Sequence, residues 1–229
     1  MIHINLRDIQ GSYDVVVGLG SWCGPALHLK RLNLRKSSFP LDWVQSPTLP
    51  DVNRLLKNKF EGYMKLENMI KKDILAHFVD EGNVVLEQGG TEPAKAHFIT
   101  DTFYNIDSVH DFPMIANQEW TVQYPSFKEK LNHRIHRFLT VIGQSQSTLF
   151  IRYEWGTSSF EEKVELQSIL SEITNGKFRI LFMQPVDGLQ GVKDLNCSVD
   201  GICLVEVPRQ NPSHNVIWDH VLKGVTLSK

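Results

Sequence analysis

Between Phe127 and Val207 the chain alternates amphipathic helix patterns with short, unbroken apolar runs, and this alternation constrains its fold more than any other feature. Phe127, Leu131, Ile135, Phe138, Leu139 and Ile142 recur at helical spacing and stop at Gly143. Thr148 to Tyr153 (TLFIRY) is an apolar run, and Phe160, Val164, Ile169, Leu170 and Ile173 mark a second helix closed by Asn175–Gly176. Phe178 to Met183 (FRILFM) and Ile202 to Val207 (ICLVEV) are further strands, and a last helix is expected from about Asn215 to Leu222. Strands that read as continuous apolar runs between helices are buried on both faces, which implies a parallel sheet covered on both sides. The expected fold is a three-layer α/β domain with a mostly parallel sheet, Rossmann-like or SGNH-like.

The first half reads less regularly. Residues 1–12 form a lead-in, with an edge strand over Ile2, Ile4 and Leu6. Val15, Val16 and Val17 are a short β-branched run expected to be a buried strand. Gly18 and Gly20 then allow a tight turn, and Gly24–Pro25 open a helix that carries Ala26, Leu29 and Leu32 on one face. Phe39 to Val44 is a candidate edge strand, since Pro40 cannot donate to a ladder. A helix begins near Leu49. Short antiparallel strands are expected around Gly82–Asn83 and Gly89–Gly90. Residues 61–112 are therefore read as a small inserted β-rich lobe within one domain spanning 1–229.

Bulk properties narrow the function classes. The 229 residues carry a formal net charge of -2, which gives no basic footprint for nucleic acid or an anionic membrane surface. No apolar run approaches the roughly 18 residues that span a bilayer. The N-terminus MIHINLRDIQG lacks the basic and apolar regions of a secretory signal. Three cysteines are too few and odd in number for a disulfide scaffold, and point to a reducing, cytoplasmic setting.

The chemistry concentrates at the first turn. Strand, glycine elbow and helix start deliver Cys23 to a helix amino terminus, where unpaired amides and the helix dipole favour a thiolate. Backbone N–H groups from Gly20 to Gly24, with the Ser21 hydroxyl, are candidate oxyanion donors. A thiol nucleophile needs a base, and His110 in NIDSVHDFP lies beside Asp111, with Asp107 nearby. His220 in VIWDHVL is the rival base, because late histidines serve that role in SGNH-type hydrolases. Arg35, Asp42 and Trp43 form a compact group that either holds the elbow or recognises substrate. Arg152 and Glu154 share one strand face beside Trp155 and either meet substrate or pair with each other. His133 and His136 read as a solvated helix face. Gly18-x-Gly20, with Asp42 downstream, also resembles a dinucleotide fingerprint, although Cys23 occupies its third glycine position. The classes left open are a thiol enzyme, a nucleotide-binding protein and a non-catalytic binding protein.

The run GLGSWCGPALHLKRLNLRKSSFPLDWV, with VHDF and LFIR further on, resembles a bacterial family described as papain-like cysteine peptidases. The matching positions are Gly20–Ser21–Trp22–Cys23, Leu34–Arg35, Pro40–Leu41–Asp42–Trp43, His110–Asp111–Phe112 and Phe150–Ile151–Arg152. The resemblance implies a cysteine nucleophile at Cys23 and a base at His110; a thiol mechanism of this kind acts on a peptide or small-molecule acyl substrate and requires no cofactor or metal. It also implies a cysteine helix packed on an antiparallel barrel, whereas the periodicity after Phe127 implies a parallel sheet. On such a sheet, hydrolysis and acyl transfer suit the thiol equally well.

Overall fold

The computed structural model describes residues 4–195, 197 and 199–228. In chain order, β1 (Gly11–Tyr13) and β2 (Val15–Gly18) lead into α1 (Gly24–Arg31), and β3 (Val44–Gln45) is followed by α2 (Leu49–Lys57). A run of strands comes next: β4 (Met69–His77), β5 (Val79–Asp80), β6 (Asn83–Val84), β7 (Lys95–Asp101) and β8 (Ile106–Ser108). The regular half comprises α3 (Tyr124–Gln144), β9 (Ser147–Tyr153), α4 (Phe160–Ile173), β10 (Lys177–Val186), β11 (Lys193–Leu195), β12 (Ile202–Pro208), α5 (Asn215–Val221) and β13 (Val225–Leu227).

The central sheet has the order β11-β12-β10-β9-β2. The four strands from β2 to β12 run parallel, and β11 adds an antiparallel edge. Alternation along each strand divides the side chains between two layers. The row Val17, Phe150, Ile180 and Ile202 is in register across the sheet. It packs with Val52 and Leu55 of α2, Leu131 and Phe138 of α3, and Leu166 and Leu170 of α4. One residue on, Ile151, Leu181 and Cys203 face the opposite layer, with Leu29 of α1 and Trp218 and Val221 of α5. Each strand therefore buries both faces, which is why these segments read as continuous apolar runs.

The lobe is a four-stranded antiparallel sheet of order β3-β8-β7-β4, capped by the β5–β6 hairpin. It starts at Val44, earlier than the sequence reading placed it. Its inner face (Val44, Met69, Ile99, Ile106 and Phe112) shares one core with α2 and α3. The expected hairpin at Gly82–Asn83 is present, while Gly89–Gly90 is a bend beside an isolated Leu86–Pro93 bridge. Phe39 to Val44 is not a strand. The Asp42 carboxylate accepts from Phe39 N–H at 2.8 Å and Asp42 N–H donates back to Phe39 O at 3.2 Å, so the chain turns and only Val44–Gln45 pairs. At the amino end Ile4 bridges to Cys197, whereas Ile2 lies outside the described residues. The pairing of β1 with β13 ties the two ends of the described chain together. Among the described residues, no helix is long and apolar enough to cross a membrane.

The α1–α5 contact carries a pH dependence. His28 is 5% exposed and stacks on Trp218 with ring centroids 4.6 Å apart. Burial, with Arg31 adding to it, pushes its pKa down to about 4. The unfolded chain therefore binds a proton that the folded chain refuses, so stability is lost as pH falls from about 6.5 towards 4. Denaturant unfolding at pH 7 and pH 5 is expected to show a loss on the order of 1–2 kcal/mol that His28→Phe removes.

Candidate active site

The elbow after β2 is held in an unusual backbone. Gly20 and Ser21 have φ of 76° and 79°, both left-handed. At Gly20 a Cβ would lie 2.6 Å from Ser46 Oγ, so only glycine fits. At Gly24 a Cβ would lie 2.1 Å from the Trp22 indole, which folds back over the start of α1. Ser21 N–H donates to Ser46 Oγ at 2.7 Å, and Ser46 N–H donates to Ser21 O at 3.2 Å. Arg152 completes the brace: Nη1 donates to Leu19 O and Ser46 Oγ, each at 2.8 Å, and Nη2 to Ser46 O at 2.7 Å.

Ser21 is the strained member. It is 1% exposed, and its hydroxyl is buried without a hydrogen-bond partner among the described residues. A left-handed serine with an orphaned hydroxyl costs stability that glycine does not. Ser21→Gly is expected to raise the unfolding free energy by about 1 kcal/mol in urea titration, and a loss of stability would contradict the strain.

Cys23 sits at the N-cap of α1 and is partly exposed, whereas Cys197 and Cys203 are 3% and 0% exposed. Burial pushes its thiol up, against a smaller opposing effect of its own backbone N–H, so in this arrangement it stays protonated at neutral pH. Among the described residues its sulfur makes no hydrogen bond to a side chain. Helix geometry places Cys23, Leu27 and Lys30 along one face of α1, and Leu27 is 43% exposed there.

His110 follows β8, with its ring edge-on to Trp43 at 6.4 Å between centroids. Its Nδ1 lies 2.7 Å from His77 O. A carbonyl only accepts, so Nδ1 carries the hydrogen and Nε2 keeps a free lone pair, the form a general base requires. Burial lowers its pKa, outweighing the His77 carbonyl and Asp111, which act the other way. Asp111, the candidate orienter beside it in sequence, is bonded elsewhere. Its carboxylate accepts from Arg134 Nη1 and Ser108 Oγ, each at 2.9 Å, because the two adjacent residues point apart. No hydrogen bond joins His110 to Cys23.

The residues read as substrate contacts lie inside the fold. Arg35 guanidinium covers Trp43 at 4.9 Å and reaches Asp42 at 3.5 Å. Asp42 and Trp43 are each 2% exposed and Arg152 is 1% exposed. Burial raises Asp42 to about 6, against the Phe39 N–H and Arg35, since the ion pair is long and offsets little of the desolvation. So placed, Asp42 supports the elbow and does not reach a nucleotide ribose. Glu154 pairs with Lys163 at 3.2 Å rather than with Arg152. His220 is exposed on α5, and His133 and His136 are exposed on α3. Among the described residues, no cluster of three or more His, Cys, Asp or Glu side chains forms a metal site.

Sequence reasoning missed three contributors. Ser46 is the hub of the elbow, yet in QSPT it reads as an ordinary turn serine. His77 supplies a backbone carbonyl, which no residue pattern announces. Trp22, Tyr153 and Trp155 form a mutually edge-on cluster with centroids 5.2–5.9 Å apart, at the carboxyl ends of β2 and β9. Tryptophans just past two neighbouring strand ends were the available signal.

A family model described as "putative papain-like cysteine peptidase" matches residues 14–188, which contain the elbow, the lobe and β9. An uncharacterized protein of Acanthamoeba polyphaga mimivirus is 28% identical over 176 residues, covering 74% of this chain and 77% of its own length. No solved structure matches the chain.

Proposed function

The chain belongs to that papain-like cysteine peptidase family, and on this premise we propose that Cys23 is the nucleophile and His110 the base of a thiol hydrolase or acyltransferase. One observation carries the reading. Of the three cysteines, Cys23 alone is accessible, and it stands at a helix amino terminus just past a strained turn. The two partners come from different parts of the fold, the cysteine from a helix on the parallel sheet and the histidine from the antiparallel lobe. The order cysteine then histidine is the one that the family description implies.

In the reaction, His110 Nε2 takes the proton of Cys23 and the sulfur attacks a substrate carbonyl. The first-turn amides of α1 from Gly24 onward receive the developing oxyanion, and the Ser21 hydroxyl, which is buried, is not among the donors. The Ser21 amide is committed to Ser46, which narrows the donor set from the one expected. Collapse of the tetrahedral adduct breaks the bond to the leaving amine, alcohol or thiol, which takes the proton from His110. Water or an acceptor then attacks the acyl-enzyme, with His110 removing its proton; collapse of this adduct breaks the thioester, and the departing Cys23 sulfur takes the proton back from His110. The substrate is a peptide or a small acyl compound.

The test is to trap the acyl-enzyme. Brief incubation with an activated ester followed by intact-mass and peptide mapping should show one acyl group, on Cys23. An adduct on lysines only, or one retained in Cys23→Ala, would contradict the assignment.

A further inference from the structure

The β5–β6 hairpin is held down by four cationic side chains drawn from three parts of the chain. Lys30 Nζ of α1 donates to Gly82 O at 3.1 Å and to Asn83 Oδ1 at 2.7 Å. Arg35 Nη2 donates to Glu81 O at 3.4 Å. From α3, Lys130 Nζ meets Asp80 Oδ1 at 2.8 Å and Arg134 Nη2 meets Glu81 Oε1 at 3.1 Å. Beneath the tip lies Trp43: a Cβ at Gly82 would sit 3.0 Å from its indole and 3.2 Å from Arg35 Nη2.

By contrast, the hairpin itself contributes little to its own stability. Its ladder is two residue pairs, Val79 with Val84 and Asp80 with Asn83, around a turn with left-handed Glu81 and Gly82. Val84 is 53% exposed. A segment with so short a ladder and little buried apolar surface belongs to the part of a fold that opens locally at low cost. What closes it is polar, and the Lys30 and Lys130 contacts lie at the surface, hence sensitive to salt and to single substitutions, whereas the Arg35 and Arg134 side chains are buried. The stem also touches the proposed base: the His77 carbonyl holds His110 Nδ1, and Val79 N–H donates to His110 O at 3.4 Å. On the far side the tip is fixed to Lys30, on the same α1 face as Cys23.

We propose that the Asp80–Asn83 tip is a lid, latched by Lys30, Arg35, Lys130 and Arg134 over Trp43 and beside His110, and that it lifts as a unit to admit substrate and free the ring towards Cys23. Its role in catalysis rests on the Cys23–His110 reading; the lifting itself does not. The closed form accounts for two features of the site, a protonated thiol and an imidazole with no bond to it.

Hydrogen exchange of the full chain, followed by mass spectrometry, tests the lid. Three amides report it: Phe78 bonded to Ala94 O, Val79 to His110 O and Val85 to Phe78 O. In the double variant Lys30→Met, Lys130→Met, both positions being exposed, these amides should exchange about tenfold faster while those of β9 and β10 keep their rates. In the wild type, about 1 M NaCl, where the screening length is about 3 Å, should accelerate the same amides. Carbethoxylation of His110 by diethyl pyrocarbonate should rise in step. Wild-type exchange rates in the double variant, or hairpin exchange only together with β9 and β10, would overturn the lid. If the hairpin opens but Cys23 titrates as an isolated thiol, the catalytic reading falls and the lid stands.

Discussion

Arg152→Ala is expected to lower the unfolding free energy by about 3–5 kcal/mol. The guanidinium is 1% exposed and donates three hydrogen bonds, to Leu19 O, Ser46 Oγ and Ser46 O. Truncation removes the donor to Leu19 O and Ser46 O, leaves Ser46 Oγ with the Ser21 N–H alone, and opens a void at the carboxyl end of β9. Burial lowers the Arg152 pKa to about 10, with Glu154 acting the other way, so it is still charged at neutral pH. Its charge is spread over backbone and hydroxyl oxygens rather than one carboxylate. Urea unfolding measures the loss, and a change below about 1 kcal/mol would show that the elbow does not depend on this brace.

Cys23→Ala should produce the opposite profile. Its sulfur makes no side-chain hydrogen bond among the described residues, so the melting temperature should stay within a few degrees of wild type. Turnover of an activated ester should nevertheless fall by about 10⁴-fold or more, since nothing else at the elbow is a nucleophile. His110→Ala should cost about 10²–10⁴-fold, the ordinary worth of a general base. The combination of an intact fold and lost chemistry separates a reacting thiol from a packing one. Retained turnover in Cys23→Ala would assign the chemistry elsewhere.

The parts of this structure legible in the sequence are those whose stability is local and repetitive. The helix read over Phe160 to Ile173 has those bounds in the structure, and the strands at TLFIRY, FRILFM and ICLVEV lie within β9, β10 and β12. Period and apolar continuity suffice there, because each element buries its own pattern. Illegible features depend on distant partners. The three-residue strands β1 and β13 are defined only by each other, across most of the chain. The turn at Phe39 to Trp43 is set by the Asp42 side chain capping Phe39, a bond that a Pro-containing apolar run conceals.

The same division holds at the site. Cys23 was identifiable because glycines and a proline mark a strand-to-helix turn whatever surrounds it. The partner of His110 was not, since it is a main-chain carbonyl of His77 and the neighbouring Asp111 is drawn away by Arg134. Whether Arg35, Asp42, Trp43 and Arg152 support the fold or meet substrate stayed open in the sequence, because charged and aromatic residues near a turn usually face solvent. Here they pair and stack with one another or with backbone, and so become the floor on which the elbow rests.

Alkylating Cys23 with iodoacetamide across pH, in wild type and in His110→Ala, decides most directly whether sulfur and imidazole work together. The account predicts that alkylation, which draws on the lid-open form in which His110 meets the thiol, sets in at lower pH in the wild type than in His110→Ala, where burial alone acts and holds the thiol above its ordinary range. Superimposable curves in the two proteins would contradict it.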